Sequence, residues 1–299
     1  MTSSKSKIKS SELLLVFIIL LLLYVVYRNI TSSVVLTKKD RLNIVFYSAK
    51  TVYYSLGKND VSYAIPFPAN MEIAVPGGYG NYRVGAIGKL ASLEKKPDIF
   101  RKAFSAATGS FVDLYFYPRQ INIYYSDQSP PAVLPGWSDI FLNSSNANFV
   151  DRLLTFWQII HADTNDLQQI TDLPTKSAGQ ETVFDQDTFY KKYQGFFYKK
   201  TYRNLKDNVQ ILYTKSYRTA LLLSNIIEGE GIRVVDISQV PSTIRQPADK
   251  VQSCLITYNK NALSVADDLQ KFFGCKKKEG KPDTSDIIIK LGILENEWQ

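Results

Sequence analysis

From Leu13 to Tyr27 the chain reads LLLVFIILLLLYVVY, fifteen consecutive apolar or aromatic residues. A helix packed in a protein core carries a polar stripe at helical spacing, and this run has none. As a helix rising about 1.5 Å per residue it covers about 22 Å. The flanking Ser10, Ser11, Asn29 and Ile30 lengthen it, with Glu12 and Arg28 reaching toward headgroups, to the roughly 20 residues that a bilayer core requires. Residues 13–30 are therefore read as one transmembrane helix and residues 1–12 as a cytoplasmic tail. A cleaved secretory signal competes with this reading, because Lys5, Lys7 and Lys9 precede the run and the small residues Thr31 and Ser33 follow it. No A-x-A pattern accompanies them, which favours a retained anchor. Local charge nearly ties, with Arg28, Lys38, Lys39 and Arg41 after the helix. Long domains translocate largely regardless of charge, so the expectation is a single-pass membrane protein, amino terminus inside and bulk extracytoplasmic.

The rest of the chain has the means to fold. Apolar residues make up 45% and aromatics 13%, against 21% charged, which excludes a mostly disordered chain. Thirty-six Lys and Arg against 28 Asp and Glu leave a net charge of +8, which favours anionic partners such as phospholipid or phosphate-bearing polymer. The basic residues are scattered, and no helix-turn-helix, zinc-ligand cluster or aromatic RNA-binding motif accompanies them, so nucleic acid is not an expected partner. The densest run, Lys276, Lys277, Lys278 and Lys281, follows a helical segment and suits the carbonyl end of its dipole.

Strand patterns occur at Arg41 to Ala49, Val61 to Ile65 and Met71 to Val75. The stretch PGGYGNYRVGAIG, Pro76 to Gly88, fails the phosphate-loop pattern: Arg83 occupies the first glycine position and Leu90 follows Lys89 where a hydroxyl is needed. Hairpin turns are the better reading. Asp98 to Thr108 is predicted helical, ended by Gly109, and Phe111 to Tyr117 is predicted to pair with Ile121 to Tyr125 around Pro118-Arg119. In Asn148 to His161, the residues Val150, Leu153, Leu154, Trp157, Ile160 and His161 form an apolar stripe that predicts an amphipathic helix. His161 is the only histidine and has no neighbouring ligand type, so a structural role outweighs a catalytic or metal one. Pro174 to Gln180 reads as a loop, and Phe184 to Tyr202 as an aromatic, basic segment packing back on the first domain.

The final ninety residues change rhythm. Val209 to Thr214, Ile232 to Ile237, Ser253 to Tyr258 and Asp286 to Leu291 read as strands, with helices over Tyr217 to Ile227 and Ala262 to Phe273, a pair of β-α-β passes. The two cysteines, Cys254 and Cys275, fall in this region. They are candidates for a disulfide worth about 3 kcal/mol outside the cytoplasm, the alternative being free buried thiols.

Anchor, α/β domain and small terminal α/β module together resemble the LytR-CpsA-Psr (LCP) family of envelope proteins, with a LytR C-terminal domain at the end. The terminal resemblance lies in VQILYTKSYRTALLLSNIIEGEGIRVVDI, CLITYNKNALSVADDLQKFFGC and DIIIKLG, over residues 207–292. The first domain, residues 41–205, resembles the family's catalytic domain through LNIVFYSA, IPFPANMEIAVPGGYGNYRVGAIG and VDLYFYP. The resemblance implies an α/β fold throughout: a transmembrane helix, a degenerate LCP-like domain and a C-terminal βαβ-βαβ domain. It also implies transfer of glycopolymers from a polyprenyl pyrophosphate carrier to the cell wall with Mg²⁺. Registering Val75-Pro76-Gly77 on the family's I-P-G turn puts Pro68, Ala69 and Asn70 where Pro-Arg-Asp would stand. Arginine would neutralise pyrophosphate and a carboxylate would hold metal, and neither is present. The leading expectation is therefore a binding or scaffolding protein with no catalytic residue, metal or cofactor, whose partners are the membrane and an envelope glycopolymer, polyprenyl lipid or another envelope protein. Arg83, where the family often has a basic residue, is the candidate phosphate contact; a solvated strand arginine is an equal reading. The alternative is an active LCP-type transferase using Mg²⁺, with groups recruited from Asp60, Arg83, Asp113 and Arg119.

Overall fold

The computed structural model describes residues 10–37, 40–129, 131, 133–161, 167–178, 181–240 and 253–299. Residues 1–9 of the expected tail, and Lys38 and Lys39, lie outside that set. The apolar run forms helix α1, Ser10–Thr31, 22 residues long. It is long and apolar enough to cross a membrane, and from Leu14 onward nothing in the fold buries it. A one-turn helix α2, Val34–Thr37, follows at once.

The chain then builds two sheets. Strands β1 (Arg41–Phe46), β2 (Thr51–Gly57) and β3 (Ser62–Phe67) form an antiparallel meander. The hairpin β4 (Glu72–Val75) and β5 (Gly80–Arg83) comes next, then helices α3 (Ile87–Leu93) and α4 (Asp98–Thr108), the latter ended by Gly109 in the left-handed region. Strand β6 (Leu114–Tyr117), helix α5 (Trp137–Phe141), the short β7 (Ser144–Ser145) and helix α6 (Phe149–Ile160) follow. After β8 (Leu167–Gln169), β9 (Thr175–Ala178) and β10 (Glu181–Phe184) come helices α7 (Gln186–Tyr193) and α8 (Lys200–Leu205). The first sheet has the order β7-β6-β1-β2-β3-β8 and the second β5-β4-β10-β9.

Every residue of β1 is buried, which places the strand between two apolar layers. Alternation divides its side chains. Leu42, Ile44 and Phe46 join the cluster that includes Val35, Ile140 and Ile159, whereas Val45 joins Phe100, Phe104 and the aromatic residues Phe184, Phe189 and Phe197. The segment from Phe184 thus packs back on the first sheet, as its composition suggests.

The third sheet contains β11 (Asn208–Tyr213), β12 (Arg233–Gln239), β13 (Leu255–Tyr258), β14 (Lys276–Glu279) and β15 (Ile287–Lys290). Helix α9 (Tyr217–Gly229) links the parallel pair β11 and β12, and α10 (Leu263–Phe273) links the parallel pair β13 and β14. The first expected β-α-β pass is present, but the second closes on β14 and not on Asp286 to Leu291, because β15 lies between β11 and β13, parallel to one and antiparallel to the other. Helix α11, Leu294–Trp298, closes the chain with Trp298 fully buried. The molecule is mixed α/β, with three mixed sheets and an amino-terminal apolar helix.

Several local expectations are corrected. Residues 121–125 form no strand; β6 pairs with β1 and β7 instead. Thr175–Ala178, expected as loop, is strand β9. The lysine run is not a helix-end decoration, because Lys276, Lys277 and Lys278 form edge strand β14. Helix α6 forms where its stripe predicts, and of that stripe Leu154 packs on the core while Leu153, Trp157 and Ile160 are exposed.

Candidate functional site

Pro68, Ala69 and Asn70 lead from β3 to β4. Both Pro68 and Ala69 are buried. The backbone at Val84-Gly85 returns across them, with Gly85 N–H donating to the Ala69 carbonyl at 2.8 Å and Val84 N–H to the Met71 carbonyl at 2.9 Å. The Gly85 carbonyl accepts from Tyr124 N–H at 3.1 Å and from the Tyr47 hydroxyl at 2.9 Å. A Cβ on Gly85 would meet the Tyr124 carbonyl at 2.2 Å, so only glycine allows this approach. Asn70 N–H donates to the Ser126 carbonyl at 2.9 Å and its Nδ2 to Asp127 Oδ1 at 2.8 Å. Burial pushes the Tyr47 phenol up to about 12, so it stays neutral and holds its donated hydrogen bond at physiological pH.

Arg83 ends β5, exposed and opposite Glu72 in the ladder. An opposite-charge pair in that register stabilises the hairpin. The turn before β5 has Gly77 and Gly78 at φ of 102° and 81°, a conformation that favours glycine. Their N–H groups both donate to the Gln299 carbonyl oxygen at 3.0 Å, so the turn holds the chain's own end. The structure thus brings Pro68, Ala69 and Asn70 together with residues 124–127 and places Arg83 on the adjoining hairpin. These residues do not fit Mg²⁺. Ala69 has no donor atom, Asp127 accepts from the Asn70 amide, the buried Asn70 Oδ1 without a hydrogen-bond partner is a single neutral oxygen, and the described residues contain no group of three or more His, Cys, Asp or Glu side chains placed to hold a metal.

The other recruited candidates have separate partners. Asp60 pairs with Arg41 at 3.0 Å and Lys200 at 3.2 Å. Asp113 is buried and meets Lys199 Nζ through both oxygens at 3.3 Å. Arg119 is exposed after β6. Sequence reasoning missed the two groups that complete the Asp113 cluster. Lys199, fully buried, also contacts Glu230 at 2.7 Å, and Glu230 Oε1 accepts from Phe111 N–H at 2.6 Å and Asn43 Nδ2 at 3.2 Å. Burial opposes the Lys199 charge, but the Asp113 and Glu230 carboxylates outweigh it and raise its pKa above the ordinary lysine value. Nothing in FFYKK or EGEG distinguishes these residues from surface charges.

A cleft of about 500 Å³ opens beside this cluster, bordered by Tyr198, Arg203, Lys206, Asp207, Glu228 and Arg233. With both signs of charge and tyrosine rings it presents donors and acceptors to a polar ligand. His161 ends α6, its ring 4.0 Å from that of Trp157 and its Nδ1 2.8 Å from the Trp157 carbonyl. Cys254 and Cys275 are bonded to each other, joining the start of β13 to the start of β14.

No family model and no curated protein matches the sequence. Two solved structures are similar to part of it. The transcriptional regulator yvhJ from Bacillus subtilis, an LCP-family protein, is 10% identical, with 54% of this chain and 98% of that chain covered and a TM-score of 0.35. A candidate transcription regulator from Eubacterium siraeum is 9% identical, with 52% and 91% covered and a TM-score of 0.33. Each similarity extends over about half of this chain.

Proposed function

We propose that this chain is a single-pass membrane protein whose extracytoplasmic bulk binds or scaffolds components of the cell envelope, and that it is a catalytically inactive relative of LCP glycopolymer transferases. The observation that carries the reading is the chemistry at the Pro68-Ala69-Asn70 position. Where the family resemblance calls for a pyrophosphate-neutralising arginine and a metal-binding carboxylate, the chain has a buried methyl group and a carboxamide whose Nδ2 donates to Asp127. The beginning of the chain supports the location. Helix α1 is apolar enough to span, and the chain is bound into the fold directly after it, with Ser33 Oγ donating to Asp151 at 2.6 Å. The Cys254–Cys275 bond suits an oxidising compartment. The partner is an envelope glycopolymer, a polyprenyl lipid or another envelope protein, and the mixed-charge cleft near Arg203 is the first place to look for a polar polymer.

The test incubates full-length protein in vesicles with a polyprenyl-pyrophosphate-linked glycan, peptidoglycan and Mg²⁺. No glycan-peptidoglycan phosphodiester is expected to form, while the protein co-sediments with the wall or lipid partner. Formation of the phosphodiester overturns the inactive reading. Labelling of the far terminus from the cytoplasmic side of intact cells overturns the location.

A further inference from the structure

Helix α6 packs Leu154, Phe156 and Ile159 on the core yet leaves a second apolar stripe exposed. Its buried positions are Asp151, Thr155 and Ile159, with Asp151 at 1% and Thr155 at 0% exposure. Its outward stripe is Phe149, Leu153, Trp157 and Ile160, with Phe149 at 62% and Trp157 at 61%. A helix facing water carries polar residues on its outward side. The burial of Asp151 has a local reason: its carboxylate accepts from Ser33 Oγ, from Val35 N–H at 3.0 Å and from Asn148 N–H at 3.2 Å, joining α6 to the segment that leaves α1. Nothing local rewards exposing two aromatic rings, a leucine and an isoleucine on one stripe.

The position of that stripe supplies the reason. Asn148, which caps α6, donates through Nδ2 to the Asn29 carbonyl at 2.9 Å and to Ser32 Oγ at 3.1 Å. The helix therefore begins beside the last turn of α1, and with 12 residues it extends only about 18 Å from that point. The neighbouring α5 adds a second tryptophan: Trp137 is 56% exposed, and Arg152 of α6 ties the two helices together by donating to the Ile140 and Asn143 carbonyls. Tryptophan and phenylalanine beside leucine and isoleucine are the side chains that partition into the headgroup and upper acyl region of a bilayer.

We propose that the outward face of α6, with Trp137 of α5, docks in the surface of the same bilayer that α1 crosses. The proposal rests on the reading of α1 as a retained anchor. The occupant is lipid, because the stripe is continuous with the end of α1 and carries no charged side chain to pair with a protein. Docking holds the first domain against the membrane instead of leaving it on a free tether.

Full-length protein is reconstituted into phosphatidylcholine and phosphatidylglycerol vesicles with or without bromine on the upper acyl chain, and tryptophan emission is measured. The chain has three tryptophans, and the third, Trp298, is buried at 1% exposure and serves as the internal control. Bromine is expected to remove about two thirds of the emission, as interfacial Trp137 and Trp157 would lose theirs. The W137F/W157F variant, altered only at exposed positions, is expected to lose this sensitivity. Protein that resists alkaline washing yet emits equally in both vesicles overturns the docking and leaves the anchor standing. Protein washed from the vesicles overturns both. Bromine-insensitive emission with dimers that disappear in W157F assigns the face to a second copy and overturns the lipid proposal.

Discussion

A single lysine shows how far the role of a charge depends on its surroundings. Lys199 sits between Asp113 and Glu230, residues 86 positions before it and 31 after it, and each of the three is buried. Replacing Lys199 with Met leaves two carboxylates in a low-dielectric interior without their cation, which is expected to cost about 3–5 kcal/mol. The urea midpoint of the variant measures this, and an unchanged midpoint would remove the cluster from the account of stability. Gly229 has an equally narrow role, because a Cβ there would stand 1.6 Å from the Gly109 carbonyl. At this scale Ala69, Asn70 and the cysteine pair were legible, since their chemistry is a property of residue type. Lys199 and Glu230 were not, since their importance comes from contacts across the fold.

Elements were legible in proportion to the locality of their signals. Helix α4 has a regular apolar spacing and a terminal glycine, and it runs over the residues the pattern predicts. Strand β14 went unseen because three lysines at a sheet edge look like solvent-facing charge; at that edge they also discourage pairing with another chain. Its neighbour β13 is tied to it by the Cys254–Cys275 bond. Reduction releases a loop of about 20 residues and is expected to lower stability by about 3 kcal/mol. Thermal unfolding with and without reductant provides the check, and identical midpoints would show that the bond contributes little beyond the ladder.

Across the whole molecule, the third sheet is fastened to the first two at several kinds of contact. Phe111 stacks on Phe272 with ring centroids 3.9 Å apart, Arg101 donates to the Phe272 carbonyl at 2.6 Å, and Lys102 pairs with Glu297 at 2.9 Å. Trp298 fills the space beside Phe272 and Phe273, and Gln299 caps the Gly77-Gly78 turn. Such an interface predicts one cooperative unfolding transition for the region after α1. Trp298→Ala should cost about 3–5 kcal/mol and separate the transition into two. Calorimetry reads both effects, and two transitions in the unmodified protein would contradict the rigid junction.

The apolar run before Tyr27, the period-two strands and the helical repeats of the last ninety residues were decided by local composition, because solvation and backbone preference act on neighbouring residues. The neutral Ala69-Asn70 pair belongs to the same class. The exposure of the second apolar stripe of α6, the central place of β15 and the burial of Lys199 were decided only by tertiary structure, because each depends on which distant surface arrives against it. Periodicity tells that α6 has an apolar stripe. It took the Asn148 contact with Asn29 to put that stripe beside the end of α1.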